Sequence, residues 1–283
     1  MHEPESPNPR VALALILALY ALARLLEIGS TSIPRTAIVA LDVISALAFA
    51  LTDGARHYRL RGILVFTGIC IVIGNIVENV GVVTGFPFGR YHFVELMGPK
   101  LFHVPVLLGL AYIGMSYVSW SVARAILGPV PSRGVRLIGL PVVASFIMVA
   151  WDLAQDPVWA TLLHGWVWQD GGPWFGVPVS NYLGWYGTVF LIYLLFALFL
   201  GGRFAAPASA ASKRPALLFY TLCAAGNVVQ TIPAQAQAIV LDPTGHPWRA
   251  ADITAASALV SVFVTGAFIA IAWVRLAEAS PRD

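Results

Sequence analysis

Charged residues are scarce in this chain. Only 11% of its 283 residues are Asp, Glu, Lys or Arg, whereas 58% are hydrophobic. Soluble globular domains carry about 25% charged residues, so the composition excludes an ordinary soluble protein. The net charge of +3 does not indicate nucleic-acid binding, because the basic residues lie in short connections between apolar runs.

Cysteine is also rare. Cys70 and Cys223 both lie inside apolar runs and do not form a C-x-x-C pair, so we expect buried thiols rather than a disulfide framework or a zinc site. The spacing of His92, His103 and His164 matches no metal-binding motif. No metal is therefore predicted.

Long apolar runs dominate what remains. A membrane-spanning helix needs about 20 mostly apolar residues, and strict alternation of the kind found in barrel strands is missing. We therefore predict an all-α, polytopic transmembrane helix bundle that forms one domain over residues 1–283. About eight spans are expected, at 11–28, 36–53, 62–84, 102–127, 135–156, 181–201, 216–240 and 254–276.

The distribution of basic residues predicts the orientation. With the N-terminus in the cytoplasm, twelve of the seventeen Lys and Arg residues fall in cytoplasmic segments and four fall on the outer side. This bias follows the positive-inside rule and favours an even number of spans in the cell membrane, with both termini cytoplasmic. The twelve are Arg10, Arg56, Arg59, Arg61, Arg124, Arg133, Arg136, Arg203, Lys213, Arg214, Arg275 and Arg282.

Polar side chains inside the spans are the candidates for chemistry, because they are costly in lipid and usually face the bundle interior. The third predicted span carries Asn75, Glu78 and Asn79, whose spacings of three and four indicate one helix face. The fifth ends with Asp152 and Asp156, also four apart, and the proline that follows is expected to end the helix.

The predicted topology places Glu78, Asn79, Asp152 and Asp156 at a similar depth in the outer half of the membrane, together with Asn181 at the start of the sixth span. Arg24, Glu27 and Asp42, in the first two spans, are interpreted as a structural ion pair or triad. Two outer connections, 84–100 and 156–180, are rich in glycine, proline and aromatic residues, and are candidates to fold back at the membrane surface.

A group of carboxyls in a low-dielectric pocket has a useful property. Desolvation and mutual repulsion favour the neutral form, so that one carboxyl is available as a general acid. Aromatic faces nearby stabilise a developing cation. The aromatic candidates are Tyr91, Trp151, Trp159, Trp166 and Trp185.

Three segments in this order resemble the carotenoid biosynthesis membrane protein family, which includes the carotenoid 1′,2′-hydratases and bisanhydrobacterioruberin hydratases. They are GNIVENVGVVTGFPFGRYHF (74–93), WDLAQDPVW (151–159) and FGVPVSNYLGWY (175–186). The resemblance covers roughly residues 62–190. The first two and last two predicted helices match only as hydrophobic spans.

The resemblance implies a reaction, namely the addition of water across the terminal C1′=C2′ double bond of a carotenoid ψ-end without a redox cofactor. The implied partners are γ-carotene, lycopene or a related carotenoid, together with water and the lipid bilayer; other pathway enzymes are candidates. We infer catalytic roles for Glu78, Asp152 and Asp156, with Asp152 or Glu78 as the acid. The substrate-binding candidates are Asn75, Asn79, Arg90, Tyr91, Trp151, Trp159, Trp166, Asn181 and Trp185, with Asn79, Asn181 and Tyr91 positioning water and Arg90 holding Glu95 or another carboxylate.

Two other functions remain open from the sequence. Asp152 and Asp156 resemble half of the aspartate-rich site of a magnesium-dependent membrane prenyltransferase, but no second acidic motif lies in a comparable position. Intramembrane acids also occur in proton-coupled transporters and carotenoid-binding proteins. Inverted repeats, which would favour a transporter, are not recognisable in the sequence.

Overall fold

The computed structural model describes residues 9–29, 33–129, 132–201, 210–231 and 238–278, and within them it is an all-α bundle, as predicted. Among these residues, six helical segments are long and apolar enough to cross a membrane, by length and composition: Pro9–Ile28, Arg35–Thr84, Val106–Leu127, Val135–Leu162, Val179–Leu200 and Ala250–Glu278. The predictions of eight spans and of cytoplasmic termini stay predictions. The helices are α1 (Pro9–Gly29), α2 (Arg35–Thr84), α3 (Val106–Leu127), α4 (Leu140–Pro157), α5 (Val179–Leu200), α6 (Ala210–Val229), α7 (Ala250–Val260) and α8 (Gly266–Glu278).

Helix α2 is 50 residues long, but its backbone reverses near the middle. Arg59 has φ 58° and ψ 170°, which are not helical. A Cβ built on Gly54 would lie 2.4 Å from Cδ1 of Ile63, whereas in a continuous helix the nine intervening steps would separate the two Cα atoms by about 13 Å. The two halves of α2 therefore form a hairpin and occupy the positions of the second and third predicted spans.

Helix α4 is the centre of a longer helical segment. Wider π-helical turns precede it at Val135–Gly139 and follow it at Val158–Leu162. The expectation that the helix ends at the proline is therefore wrong, because Pro157 is followed by a further helical turn instead of a loop. That extra turn carries Trp159, whose side chain reaches the interior of the bundle.

Close packing of the bundle depends on small residues where helices cross. A Cβ on Gly114 of α3 would lie 2.7 Å from that of Ala46 in α2, so only glycine allows these two backbones to approach so closely. Large aromatic side chains also pack in the core. Phe196 contacts Phe66 and Trp120, with ring centroids 4.9 and 5.4 Å apart, and all three side chains are fully buried.

The two aromatic connections pair with each other at one end of the bundle. Strand β1 (Tyr91–Phe93) runs antiparallel to β4 (Trp166–Trp168), with Tyr91 opposite Trp168 and Phe93 opposite Trp166. A 3₁₀ turn (Glu95–Met97) and a second small ribbon, β2 (Lys100–Leu101) with β3 (Val104–Pro105), lead into α3. The pairing holds the connections against the ends of α2 and α4.

A third hairpin, β5 (Ile239–Leu241) with β6 (Pro247–Arg249), precedes α7 at the same end of the bundle. Asp242 closes its turn by accepting hydrogen bonds from Thr244 N at 2.9 Å, His246 N at 3.0 Å and Trp248 Nε1 at 3.0 Å. Although partial burial raises the pKa of Asp242, these hydrogen bonds outweigh burial and hold it below its usual range. The eighth predicted span corresponds to the segment Ala250–Glu278, which contains α7 and α8. Residues 232–237 of the seventh predicted span lie outside the described residues.

Candidate active site

An aromatic-walled cavity, here called the carboxyl cavity, lies at the end of the bundle where α2 and α4 finish and α5 begins. The cavity, together with the open space at its mouth, comprises about 790 Å³ that protein atoms do not occupy. None of the described residues that line it is Lys or Arg. They are Val39, Asp42, Val43, Glu78, Phe88, Tyr91, Phe93, Met97, Leu107, Leu108, Ala111, Tyr112, Trp151, Asp152, Gln155, Asp156, Trp159, Trp166, Trp168, Asn181 and Trp185.

Glu78 enters the cavity from α2 and is only 3% exposed. The Tyr91 hydroxyl donates a hydrogen bond to its Oε2, and the Tyr112 hydroxyl donates to its Oε1 at 3.1 Å. The two tyrosines come from β1 and α3, so three separate segments fix this carboxyl. Both of its oxygens accept hydrogen bonds at defined positions.

Asp156 enters from α4 and is 2% exposed. Its Oδ1 accepts hydrogen bonds from Trp166 Nε1 at 2.8 Å and Trp168 Nε1 at 3.4 Å, while its Oδ2 accepts one from Asn181 Nδ2 at 2.5 Å. All three donors are N–H groups that cannot accept a bond at those atoms. The surroundings of Asp156 therefore suit an ionised carboxylate.

Asp152 lies one turn earlier on the same face of α4. Among the described residues it accepts one side-chain hydrogen bond, from Asn181 Nδ2 at 3.2 Å. The Asn181 amide thus joins the two aspartates of α4. Asp152 is the least satisfied of the three carboxyls, so it has the most freedom to interact with a molecule in the cavity.

Aromatic faces form most of the remaining wall. Trp185 packs against Tyr112 with ring centroids 4.2 Å apart and stacks on Phe88 at 5.4 Å. Trp159 and Trp166 stack at 6.2 Å with nearly parallel planes. Such faces attract cations through the ring quadrupole, so the cavity combines acidic groups with surfaces suited to a transient positive charge.

Phe88 is held by two glycines. A Cβ on Gly81 of α2 would lie 2.6 Å from its ring, and a Cβ on Gly184 of α5 would lie 2.7 Å from it. The ring is fully buried. Because both helices lack a side chain at the contact, Phe88 fits between them and supports Trp185.

Comparison with known protein families gives a match that covers this site. The family model of the carotenoid biosynthesis proteins matches residues 35–242. The chain belongs to this family. The match extends from the start of α2 to the turn of the β5–β6 hairpin and includes the whole carboxyl cavity. In the same comparisons, no curated protein and no solved structure matched the chain.

In this carotenoid biosynthesis protein most of the residues selected from the sequence meet in one place. The cavity brings together the three carboxyls and six of the substrate-binding candidates, whose roles stay predictions. These six are Tyr91, Trp151, Trp159, Trp166, Asn181 and Trp185.

Three other candidates lie outside the cavity lining. Asn79 Nδ2 donates to Asn75 Oδ1 at 2.8 Å, and Asn79 Oδ1 accepts a hydrogen bond from His103 N at 2.9 Å, which anchors the β2–β3 ribbon. Arg90 is exposed and pairs with Asp170; of the two expected partners, Glu95 or another carboxylate, the structure has the second. The spacing of three and four residues did place the two asparagines near Glu78, but the cavity occupies only the Glu78 side of the helix.

The sequence analysis did not select several lining residues. Tyr112 lies in an apolar stretch of α3. The only feature of the sequence that could have selected it is a tyrosine hydroxyl inside a predicted span. Gln155 lies between the two aspartates, and Trp168 lies two residues beyond Trp166; both carried a signal as polar or aromatic neighbours of selected residues. Asp42 was grouped with Arg24 and Glu27 as a structural ion pair or triad. Arg24 and Glu27 do form an ion pair at 2.7 Å, but among the described residues no basic group lies within ion-pair distance of Asp42.

Proposed function

We propose that this protein is a cofactor-independent carotenoid hydratase that adds water across the terminal C1′=C2′ double bond of an acyclic ψ-end. The observation that carries the proposal is the convergence of Glu78, Asp152 and Asp156, from two helices, on one aromatic-walled cavity. Membership in the carotenoid biosynthesis family supplies the substrate class. Hydration of an isolated alkene needs an acid, a base and a cation-stabilising surface, and the cavity lining contains each.

Asp152 is assigned as the general acid. Its O–H bond breaks as a C–H bond forms at C2′, and the positive charge develops at C1′, which becomes a tertiary carbocation. Asp156, fixed by its three N–H donors, provides negative charge beside the cation. The faces of Trp151 and Trp185 provide the remaining stabilisation.

Glu78 is assigned as the group that activates water. A water molecule bound to its carboxylate attacks C1′ and transfers its proton to Glu78 as the C–O bond forms. The Tyr91 and Tyr112 hydroxyls orient this carboxylate. The cycle closes when the proton returns from Glu78 to Asp152 through water in the cavity, so that one water is consumed and no net proton is released.

The position of the cavity suits a long apolar substrate. The carboxyls lie near the ends of their helices, whereas the hydrocarbon core of a bilayer is about 30 Å thick, similar to the length of a carotenoid. A carotenoid that lies along the bundle within the cell membrane presents its end group at this depth. The polyene chain remains among apolar side chains and lipid.

The test is expression in a host that accumulates lycopene or γ-carotene, followed by mass analysis of the pigments. A gain of one water per ψ-end is expected. Glu78→Gln and Asp152→Asn, tested separately, should each abolish the gain while the protein remains in the membrane. Unchanged pigment in the presence of folded wild-type protein, with several ψ-end substrates, contradicts the proposal.

The same experiment separates the two other functions. In the described residues, no group of three or more His, Cys, Asp or Glu side chains is arranged to hold a metal ion. A magnesium-dependent prenyltransferase would lose activity with a chelator and would add an isoprenoid unit rather than water. A carotenoid-binding protein or transporter would leave the mass of the pigment unchanged.

A further inference from the structure

A second, more polar space lies beside the carboxyl cavity at the same end of the bundle. This side chamber, with its opening, holds about 1490 Å³ free of protein atoms. Its polar lining includes the buried Arg24–Glu27 pair, Gln230 and Thr254. Arg35 lies at its exposed rim, and a charged side chain there indicates contact with water or lipid headgroups rather than with acyl chains.

The side chamber and the carboxyl cavity share part of their walls. Val39, Gln155 and Trp159 line both spaces. A smaller space lies between them and is lined by Arg24, Gln155 and Trp159, together with Asp42. The three spaces therefore form a chain from the rim to the catalytic carboxyls, with Asp42 and Gln155 at the junction.

The two junction residues present different polar groups. Gln155 is 6% exposed, and its Nε2 donates to Asn227 Oδ1 at 2.7 Å, an oxygen that also accepts from Arg24 Nη2 at 2.6 Å. Asp42 Oδ1, in contrast, is buried and has no hydrogen-bond partner among the described residues. A buried acceptor without a protein partner beside a space large enough for water is a hydration site.

We propose that the side chamber and the Asp42–Gln155 junction form a water passage that supplies the carboxyl cavity. The inference rests on the proposed hydratase function. Each turnover consumes one water, which provides the hydroxyl at C1′ and the proton that resets the acid. A polyene in the apolar mouth of the cavity blocks supply from that side, so water must arrive through a different wall. Asp42 and Gln155 act here as positioning residues, because they bind the arriving water and do not touch the alkene.

Water access is tested first, independently of catalysis. Val39→Cys, at the shared wall, and Thr254→Cys, in the side chamber, are exposed to a charged, water-soluble methanethiosulfonate in membranes permeable to it on both sides. Both should be labelled, because thiolates form only where water reaches. Ile44→Cys, on the same helix half as Val39 but 55% exposed on the outside of the bundle, is the matched control and should remain unlabelled. The wild type, with two buried cysteines, should also remain unlabelled.

Water supply during the reaction is tested by initial rates in D₂O. The acid then delivers a deuteron to C2′. The cation either captures D₂O to give the alcohol, or loses a proton and returns as deuterated alkene. In Asp42→Leu and Gln155→Leu the ratio of deuterated alkene to alcohol should rise about tenfold, the equivalent of one lost hydrogen bond to water. Asp42→Asn, which retains a polar side chain, should restore most of the wild-type ratio.

The outcomes separate the two proposals. A purely structural defect lowers both products equally, so an unchanged ratio in both leucine variants rejects the passage even if total activity falls. Absence of labelling at Val39→Cys in an active protein also rejects it. Labelling of both chamber positions in a protein that never hydrates a carotenoid rejects the hydratase function and leaves a water-filled passage that serves another purpose.

Discussion

Asp152→Asn should abolish hydration while leaving the fold almost unchanged. Asp152 accepts one hydrogen bond, from Asn181 at 3.2 Å, and the oxygen of an asparagine at this position can accept the same bond. We therefore expect the free energy of unfolding to change by at most about 0.5–1.5 kcal/mol, the net value of one hydrogen bond. Loss of a general acid typically lowers the rate by about 10²–10⁴-fold, which corresponds to about 3–5 kcal/mol of transition-state stabilisation.

The assay measures the hydration rate and the stability of the protein in one preparation. Membranes with the wild type or the variant are supplied with lycopene, and the initial rate of alcohol formation is measured by mass spectrometry. Thermal unfolding in mild detergent gives stability. Ile44→Ala is the control on the rate, because Ile44 is 55% exposed on the outside of the bundle and the substitution should leave the rate within a few-fold of the wild type.

Asp156→Asn is the matched control on stability. Its neighbours are three N–H donors, and an amide offers them only one oxygen. At least one buried N–H donor then faces another donor unless a neighbour rearranges. We therefore expect the free energy of unfolding to fall by about 1–3 kcal/mol. If Asp152→Asn retains more than about a tenth of the wild-type rate, the acid has been wrongly assigned. If Asp152→Asn destabilises the protein as much as Asp156→Asn does, the number of hydrogen bonds that each aspartate accepts does not determine its contribution to stability.

Three further predictions concern other parts of the structure. Tyr112→Phe removes one of the two donors to Glu78 and should lower the hydration rate about tenfold with little loss of thermal stability; an unchanged rate would show that this hydroxyl does not orient the carboxylate. Gly184→Ala places a methyl group against the Phe88 ring and should lower the free energy of unfolding by about 1–3 kcal/mol. An unchanged midpoint of thermal unfolding would refute this prediction. Because the folded pKa of Asp242 is depressed, its contribution to stability is present above its unfolded pKa of about 4 and is lost as pH falls through the folded value. Hydrogen exchange should therefore show the β5–β6 hairpin loosening below about pH 4 in the wild type but already loosened at neutral pH in Asp242→Ala.

Composition and run length were enough to establish the fold class. In lipid, backbone polar groups must be satisfied by the protein itself, so long apolar runs without strict alternation predict helices. The six long apolar helical segments among the described residues confirm this prediction. The order of three segments also predicted the family, because it depends only on sequence. The hairpin in α2 was predicted as two spans, since a short basic stretch interrupts its apolar run.

Only the tertiary structure decided which polar residues share a site. Periodicity placed Asn75, Glu78 and Asn79 on one side of a helix, but neighbouring segments determine which of them meets a cavity. Glu78 meets the hydroxyls of Tyr91 and Tyr112, whereas the asparagines bind each other and the β2–β3 ribbon. The sequence determined that carboxyls lie inside an apolar bundle. Long-range packing, which no local pattern encodes, determined that three of them face one cavity and that Asp42 stands between this cavity and the side chamber.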